Sequence, residues 1–306
     1  MSSTIFVIGA TGTLGKAVAL ELLKSNFNVK TTTRNLESPA SKELKAAGAE
    51  VIKGDWDNEE VLSAAFAGCS GLFMNLSPNF EDFSADVRQG KAILGLAKAA
   101  GIKHAIFSSV VGANSPEPYP NYDPNTILAF MFNNKKTVED ATRDAGFEAY
   151  TIIRPGSFMS NWLAPKTMMW GDFVETGVFT TAFREGNSVA HIDEHDVGAF
   201  AVEAFKNPTK FNGVELELAS ELLTIEKTLE IVSKAAGRPI TARYMSDEDV
   251  AAQRKQNPFV EGQVASRGVA NAVDMDKIKS FGVPLHTFEA YLEREKKAVA
   301  ETYGSK

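Results

Sequence analysis

A glycine-rich segment near the N-terminus has the residue types and spacing of a phosphate-binding turn. Residues 9–15 read Gly-Ala-Thr-Gly-Thr-Leu-Gly, between an apolar stretch and an amphipathic one. In such a turn the first glycine allows a tight bend, the second lets backbone approach a diphosphate, and the third lets helix and sheet pack closely. The helix that follows offers unpaired N–H groups and the positive end of its dipole to the anion.

The sequence therefore predicts a dinucleotide site at this turn, since turn formation alone does not need three glycines at this spacing. The alternative is a tight strand-to-helix turn that binds nothing. The residues assigned to the site here are Gly9, Thr11, Gly12, Thr13, Leu14 and Gly15.

The end of the second predicted strand, within residues 29–35, decides which dinucleotide is expected. An acidic residue at such a position binds the ribose 2′-hydroxyl of NAD, whereas an arginine accommodates the 2′-phosphate of NADP. No acid stands there, but Arg34 does, and Thr33 and Asn35 can add hydrogen bonds. The sequence thus predicts NADP(H) as cofactor, bound by Arg34 and Asn35. The alternative is an ordinary surface arginine.

Two further candidates follow the third predicted strand. Asp55 stands where its carboxylate could accept a hydrogen bond from the adenine amino group, with Trp56 alongside. The alternative is structural: Asp57 would cap the next helix, Glu60 would complete a capping box, and Asp55 would support that turn.

The end of the fourth predicted strand adds three more residues, Asn75, Leu76 and Ser77. Ligands of open α/β sheets bind at the edge formed by the carboxyl ends of the strands. We therefore expect these three residues to border the same cofactor.

The elements that must position these residues alternate regularly through the first half of the chain. Strands are predicted at residues 4–8, 28–33, 50–53, 71–74, 105–108 and 149–153, and several are apolar throughout. Helices are predicted between them at residues 14–24, 40–47, 59–66, 82–100 and 126–144. This repetition predicts a Rossmann-type, doubly wound parallel sheet with right-handed crossovers and helices on both faces.

The alternation stops after Pro155. Residues 156–187 lack a clean period and suggest a lid or substrate-side region. Further on, helices are predicted at residues 196–205, 224–235, 247–255 and 285–302, and a strand at residues 214–218. We expect an NADP-binding domain at residues 1–155, rejoined by about residues 195–220, and a smaller, mixed substrate-side domain at residues 156–306.

The composition is that of a globular protein. Of 306 residues, 44% are hydrophobic and 23% charged, which argues against a disordered or collagen-like chain. The net charge of −7 disfavours direct nucleic-acid binding. Cys69 is the single cysteine, and no apolar run reaches membrane-spanning length. With no export signal at its start, the chain is expected in the cytoplasm, away from membranes.

Several of these segments together resemble the NmrA-like group of atypical short-chain dehydrogenase/reductases. They are residues 9–15, 31–35, 48–58, 152–162 and 191–198. The resemblance runs from residue 4 to about residue 200 and is loose beyond. It implies a Rossmann domain with a smaller C-terminal domain, and either an NADP(H)-dependent reductase or a catalytically silent cofactor sensor. It also implies that Pro155, Gly156, Ser157 and Phe158 line the nicotinamide, with Asn161 just beyond.

The resemblance is incomplete where the chemistry would take place. Typical short-chain dehydrogenases carry Y-x-x-x-K on the helix after the fifth strand, where the tyrosine donates a proton. Here Met131 and Phe132 precede Lys135 and Lys136 by four residues, and neither can donate one. Residues 132–135 resemble the family's own variant, which implies that Lys135 faces the nicotinamide ribose and handles the proton. The alternative is a surface salt bridge from Lys135 to Glu139.

Other candidates for the chemistry are weaker. Ser108 and Ser109 end the fifth strand, where typical relatives keep a catalytic serine, although serines at strand ends are also ordinary turn residues. Tyr119 and Tyr122 lie in a polar, proline-rich loop and could supply an alternative acid.

One group of histidines and carboxylates could suggest a metal. It comprises His191, Asp193, Glu194, His195 and Asp196. No H-E-x-x-H motif and no cysteine ligand accompanies it, so no metal site is predicted.

The residues leave two hypotheses for function. The first is NADP(H)-dependent reduction of a small, largely apolar or aromatic carbonyl, enal or imine substrate, with Lys135 as the catalytic residue. Apolar side chains of residues 158–183 would line its pocket. The second is a catalytically silent NADP(H) sensor that acts through a protein partner. Both are compatible with a homo-oligomer.

Overall fold

The computed structural model of this protein describes residues 3–79, 81–115 and 123–304. These residues form two compact units. The first comprises the described parts of Met1–Asn114, Met131–Pro155 and Glu194–Leu216. The second comprises those of Ser115–Phe130, Gly156–Asp193 and Glu217–Lys306. Tyr119 and Tyr122 lie outside the described residues. None of the described helices combines the length and the apolar character needed to cross a membrane.

The strands are, in chain order, β1 (Thr4–Ile8), β2 (Asn28–Thr33), β3 (Glu50–Lys53), β4 (Gly71–Asn75), β5 (His104–Ser108), β6 (Ala149–Pro155), β7 (Ser157–Phe158), β8 (Val178–Thr181), β9 (Ser188–Ile192), β10 (Val214–Leu218), β11 (Glu221–Thr224) and β12 (Thr241–Tyr244). The α-helices of the first half are α1 (Thr13–Lys24), α2 (Pro39–Ala46), α3 (Glu59–Phe66), α4 (Ala85–Ala99) and α5 (Ile127–Asp144). The later α-helices are α6 (Phe173–Thr176), α7 (Glu194–Lys206), α8 (Pro208–Phe211), α9 (Ile225–Ala236), α10 (Asp247–Gln253), α11 (Pro258–Ala265), α12 (Met275–Ser280), α13 (Phe288–Arg294) and α14 (Lys296–Tyr303).

A seven-stranded sheet organises the first unit, in the order β10-β6-β5-β4-β1-β2-β3. The pairs β1–β2, β1–β4, β2–β3, β4–β5 and β5–β6 are all parallel. The chain order reverses at β1, whose neighbours are β2 and β4. Such a switch point opens a crevice at the carboxyl ends of the strands. The predicted Rossmann-type sheet is therefore confirmed.

Each face of this sheet is covered by apolar side chains. Phe6, Leu72 and Phe107 pack on one face in a cluster that includes residues of α3 and α4. On the opposite face, a Cβ added to Gly71, the neighbour of Leu72, would lie 2.7 Å from side-chain atoms of Ile5 and of Phe205 in α7. Both faces are thus shielded from water, which explains the unbroken apolar runs of the central strands.

The second unit has two small sheets of its own, ordered β11-β9-β7 and β12-β8. Its core is rich in aromatic side chains, with Trp162, Phe173, Phe179 and Phe288 buried together. The expected irregularity of residues 156–187 is only partly correct, because this stretch contains β7, two 3-10 helices, α6 and β8. The single helix expected at residues 285–302 is instead two, α13 and α14, which meet at Glu295.

Candidate functional site

The turn after β1 can be formed only with glycines at two of its positions. Gly9 has a φ of +81°, and a Cβ there would lie 2.6 Å from the carbonyl oxygen of Asn75. A Cβ on Gly15 would lie 2.1 Å from the carbonyl oxygen of Gly9. Both distances are far inside van der Waals contact with backbone, so the turn excludes larger residues. Gly9 therefore lies directly against the end of β4.

The first turn of α1 is open to an anion. Its N-cap is Gly12, whose N–H donates to the Gly9 carbonyl at 3.0 Å and which has no side chain to cap the helix. Thr11, Gly12 and Thr13 are exposed, while Leu14 is buried against the sheet. Uncapped amides at a helix N-terminus are the groups that hold a diphosphate. The backbone here thus fits the predicted ligand.

Arg34 lies just beyond β2 with its side chain exposed. Within the described chain, its guanidinium makes no hydrogen bond or ion pair. The loop around it is ordered by short-range bonds, since the Asn35 N–H donates to Thr33 Oγ1 at 3.2 Å and the Glu37 N–H to Asn35 Oδ1 at 3.0 Å. Arg34 is therefore available to a phosphate.

Beyond β3, Asp55 and Trp56 are both half-buried. Asp55 Oδ1 accepts a hydrogen bond from the Asp57 N–H at 2.9 Å, as the structural alternative required. The capping box expected at Asp57 and Glu60 is wrong, because the N-cap of α3 is Asn58, whose Oδ1 accepts from the Val61 N–H at 3.0 Å. One residue's difference in where the helix begins explains the error.

Lys135 lies on α5 and reaches the strand end beside the glycine turn. Its Nζ donates to the carbonyl oxygen of Leu76 at 2.7 Å and lies 5.4 Å from the centre of the Phe107 ring. Gly9 abuts Asn75, so the turn and the ammonium group meet on the dipeptide Asn75-Leu76. Ser77, the next residue, is exposed.

Burial lowers the pKa of Lys135 to about 8, although the negative charges of Asp86 and Glu139 act in the opposite direction. An ammonium group with such a pKa is a competent acid near neutral pH. The alternative salt bridge from Lys135 to Glu139 is not formed, because the Glu139 carboxylate is bonded to Arg154, at 2.8 and 2.6 Å, and to Arg143 at 3.0 Å.

Two polar residues beside Lys135 were not anticipated from the sequence. Asn134 donates through Nδ2 to Asp86 Oδ1 at 2.8 Å and to the Phe83 carbonyl at 2.6 Å. Asp86 is only 4% exposed. The one sequence signal is that Asp86 shares the buried face of α4 with Gly90 and Ile93, where apolar or small residues are expected.

The two positions where a tyrosine is missing lie on α5, and the two candidate serines lie at the end of β5 and just after it. Phe132 is buried and Met131 half-buried, so neither position of the missing tyrosine offers a polar group. Ser108 and Ser109 are buried, at 1% and 6% exposure, and their Oγ atoms have no hydrogen-bond partner in the described structure.

The segment implied to line a nicotinamide begins with Pro155, the last residue of β6 in the first unit. Gly156, in the second unit, packs against β9, where a Cβ would lie 2.3 Å from the Ala190 carbonyl oxygen. Ser157 and Phe158 form β7 beside β9 and are half-buried. Asn161 Nδ2 lies 3.5 Å from Ser157 Oγ.

Several of the aromatic and methionine side chains expected to line a pocket belong to the core of the second unit. Buried members are Met159, Trp162, Phe173 and Phe179, at 0–3% exposure. Half-buried or exposed members are Phe158, Met168, Met169 and Trp170. Only the latter group is available for a ligand.

The histidine and carboxylate group is engaged in protein contacts. His191 Nε2 lies 3.0 Å from Thr228 Oγ1, its ring stacks on Phe288, and burial lowers its pKa to about 3. Asp193 accepts two hydrogen bonds from Arg294, at 2.6 and 3.1 Å. In the first unit, His195 Nδ1 lies 2.7 Å from Glu21 Oε1.

Comparison with known proteins matches residues 1–284 to the model of the NmrA-like family. An NmrA-like family domain-containing oxidoreductase, FrzB of Cladobotryum sp, is 30% identical over 78% of this chain and 75% of its own. An NAD(P)H azoreductase of Xenophilus azovorans is 30% identical over 79% of this chain and 76% of its own. The crystal structure of NmrA, a negative transcriptional regulator, in complex with NADP superposes with a TM-score of 0.76 at 22% identity, over 97% of both chains. That last likeness supports the fold.

Proposed function

This chain belongs to the NmrA-like family, and from that premise we propose that it is an NADPH-dependent reductase of a small, largely apolar or aromatic carbonyl, enal or imine compound. The observation that carries the proposal is the meeting of the glycine turn and the Lys135 ammonium group at Asn75-Leu76. Two relatives of about 30% identity bear the names of an oxidoreductase and an NAD(P)H azoreductase, which supports the same chemistry.

In this proposal the open first turn of α1 holds the cofactor's diphosphate, and Arg34 pairs with its 2′-phosphate. Asn35, Asp55 and Trp56 would hold its adenosine end. Asn75, Leu76, Ser77, Lys135 and Pro155 would border its nicotinamide end. When bound, the nicotinamide supplies a hydride.

Lys135 then provides the proton. Hydride addition to a C=O or C=N carbon moves the π electrons onto the heteroatom, and in an enal onto the conjugated oxygen. The Lys135 ammonium group, held by the Leu76 carbonyl, donates a proton to that atom and becomes a neutral amine. Solvent reprotonates it. The apolar and aromatic composition of residues 158–183 favours an apolar or aromatic substrate.

We place this activity in the cytoplasm, with a small-molecule substrate and no direct contact with nucleic acid. The net charge of −7 and the single, buried cysteine support that setting.

Oxidation of NADPH across a panel of carbonyl, enal and imine compounds tests the proposal. We expect turnover in the natural protein and a loss of about 100-fold or more in Lys135→Ala, because general acids contribute on that scale. Lys136→Ala is the matched control, since Lys136 is exposed on the same helix and pairs with Asp140 at 2.8 Å. Equal rates in the two variants would remove Lys135 from the mechanism.

The cofactor assignment has its own test. Calorimetry should show that NADPH binds about 10-fold or more tightly than NADH, and that Arg34→Ala abolishes this preference, because a phosphate–guanidinium pair contributes at least about 1.4 kcal/mol. Lys42→Ala is the control, since Lys42 pairs with Glu37 in the same exposed region. Equal affinity for both cofactors in the natural protein would contradict the role of Arg34.

A second candidate, a catalytically silent NADP(H) sensor, is favoured by one observation: Met131 and Phe132 occupy the positions where a tyrosine would donate the proton. The fold shared with a negative transcriptional regulator is compatible with it. Tight NADPH binding with no turnover on any compound of the panel would favour the sensor over the reductase.

A further inference from the structure

We propose that Asp86 is a positioning residue for Lys135: its buried carboxylate, held by Asn134, keeps the lysine protonated and directed at Leu76. The proposal rests on the proposed function where it concerns catalysis, but its electrostatic part concerns only residues of the first unit. It assigns a role to a carboxylate that touches neither cofactor nor substrate.

Asp86 is held in place by its position in a helix and by its hydrogen bonds. It lies in the first turn of α4, where the helix dipole favours a negative charge, and is 4% exposed. Its Oδ1 accepts from the Val87 N–H at 3.1 Å and from Asn134 Nδ2 at 2.8 Å. Asn134 also donates to the Phe83 carbonyl, so it fastens α5 to the beginning of α4.

The carboxylate of Asp86 and the ammonium group of Lys135 carry opposite charges. A buried carboxylate is costly unless positive charge compensates it. Among the described residues no lysine, arginine or histidine forms an ion pair with Asp86. Lys135 follows Asn134 in the chain, and its ammonium group contacts a carbonyl oxygen and a ring face, neither of which carries a full negative charge. The negative charge of Asp86, bonded to the residue that precedes Lys135, therefore stabilises the ammonium form of Lys135 against the effect of burial.

The other charged groups around Lys135 are already paired. Glu139 lies one turn further along α5, but Arg154 and Arg143 already neutralise its carboxylate. On the exposed side of the helix, Lys136 pairs with Asp140. Leu76 and Phe107, on the sheet side, do not titrate. Asp86 and Glu139 both raise the pKa of Lys135, but among the described residues only Asp86 does so without an arginine or lysine paired to its carboxylate.

Nuclear magnetic resonance of the full-length protein, labelled with carbon-13 at lysine Cε, measures this directly. The Lys135 signal is assigned as the one that disappears in Lys135→Arg. We expect Asp86→Asn to lower its titration midpoint by about 1 pH unit, the usual effect of removing a nearby opposite charge. Asp140→Asn, the matched control on the exposed side of α5, should leave the midpoint in place. An unchanged midpoint in Asp86→Asn would overturn the proposal.

A second variant guards against misfolding. Asp86→Ser removes the charge and keeps an oxygen that can accept from Asn134, and it should shift the midpoint in the same direction. If both variants fold and neither shifts it, the proposal is wrong.

Activity separates this inference from the proposed function. Lys135 must be protonated to act as an acid, so turnover falls as pH rises through its pKa. In Asp86→Asn the alkaline fall in rate should begin about 1 pH unit lower, while the plateau at lower pH is kept. A shifted Lys135 midpoint with an unshifted rate profile would uphold the role of Asp86 and refute Lys135 as proton donor.

Discussion

Two successive turns of α5, at Lys135 and at Glu139, hold a buried charge in different surroundings. At Glu139 the carboxylate is fully buried and bonded to two arginines, and Arg154 and Arg143 also share Glu215. The hydrogen bonds from Arg143 lower the pKa of Glu215 to about 2. At Lys135 the ammonium group is bonded to a carbonyl oxygen, and no carboxylate of the described residues contacts it.

The difference separates the structural role of Glu139 from the chemical role that we propose for Lys135. Charged groups paired by several short hydrogen bonds stay charged across the physiological pH range, so they fix geometry. An ammonium group that burial destabilises can release its proton near neutral pH. The turn of α5 at Glu139, called the paired turn, anchors α5 to β6 and β10. One turn earlier, at Lys135, the same helix presents a group able to react.

The largest effect on stability should follow from removing the charge of Glu139 in the paired turn. Glu139→Gln removes the negative charge that the guanidinium of Arg154, 1% exposed, contacts at 2.8 and 2.6 Å. We expect the free energy of unfolding to fall by about 3 kcal/mol, because removing one member of a buried ion network leaves a buried charge undercompensated. Denaturation in urea measures it.

Asp140→Asn serves as the control for this loss. Asp140 is the next residue on α5, and its half-exposed carboxylate pairs with Lys136 and Arg143. Exposed pairs contribute little, so the change should stay within about 0.5 kcal/mol. Equal losses in Glu139→Gln and Asp140→Asn would mean that the buried network carries no special weight, and the contrast between the two turns would fail.

The sequence predicts the sheet well and the paired turn poorly. Strands β1, β2 and β3 match their predicted bounds to the residue, because short apolar or β-branched runs between turn residues are a local signal. The short strands β8 and β12 were missed, since four residues such as Thr-Ala-Arg-Tyr carry too little periodicity. Their pairing is decided by tertiary contacts.

The features of the candidate site also differ in how well the sequence predicts them. The glycine turn is visible in the sequence because its backbone geometry demands glycine at fixed spacing. The partners of Glu139 and Lys135 are not visible, because Arg154 and Leu76 meet them only after helix and sheet have packed. The i,i+4 spacing of Lys135 and Glu139 suggested a local pair, and packing gave each a different partner.

A smaller effect of opposite sign should follow at the unpaired turn. Lys135→Met replaces a buried ammonium group by an apolar side chain of similar length. Burial lowers the pKa of Lys135 from 10.5 to about 8, so keeping the folded protein charged at pH 7 costs free energy. We expect Lys135→Met to be about 1–2 kcal/mol more stable at pH 7, after allowance for the lost bond to Leu76, and to lose reductase turnover.

The pH dependence gives this last prediction its sign. Between pH 8 and 10.5 the unfolded chain binds more protons at Lys135 than the folded protein does, so the natural protein gains stability as pH rises through that window. The advantage of Lys135→Met should therefore shrink toward pH 10.5, as measured by urea denaturation at several pH values. Lys136→Met, which removes an exposed lysine already paired with Asp140, should show no such trend. A constant difference across the window would mean that Lys135 is not held in a destabilised charge state, and that the two turns of α5 do not differ in how they hold charge.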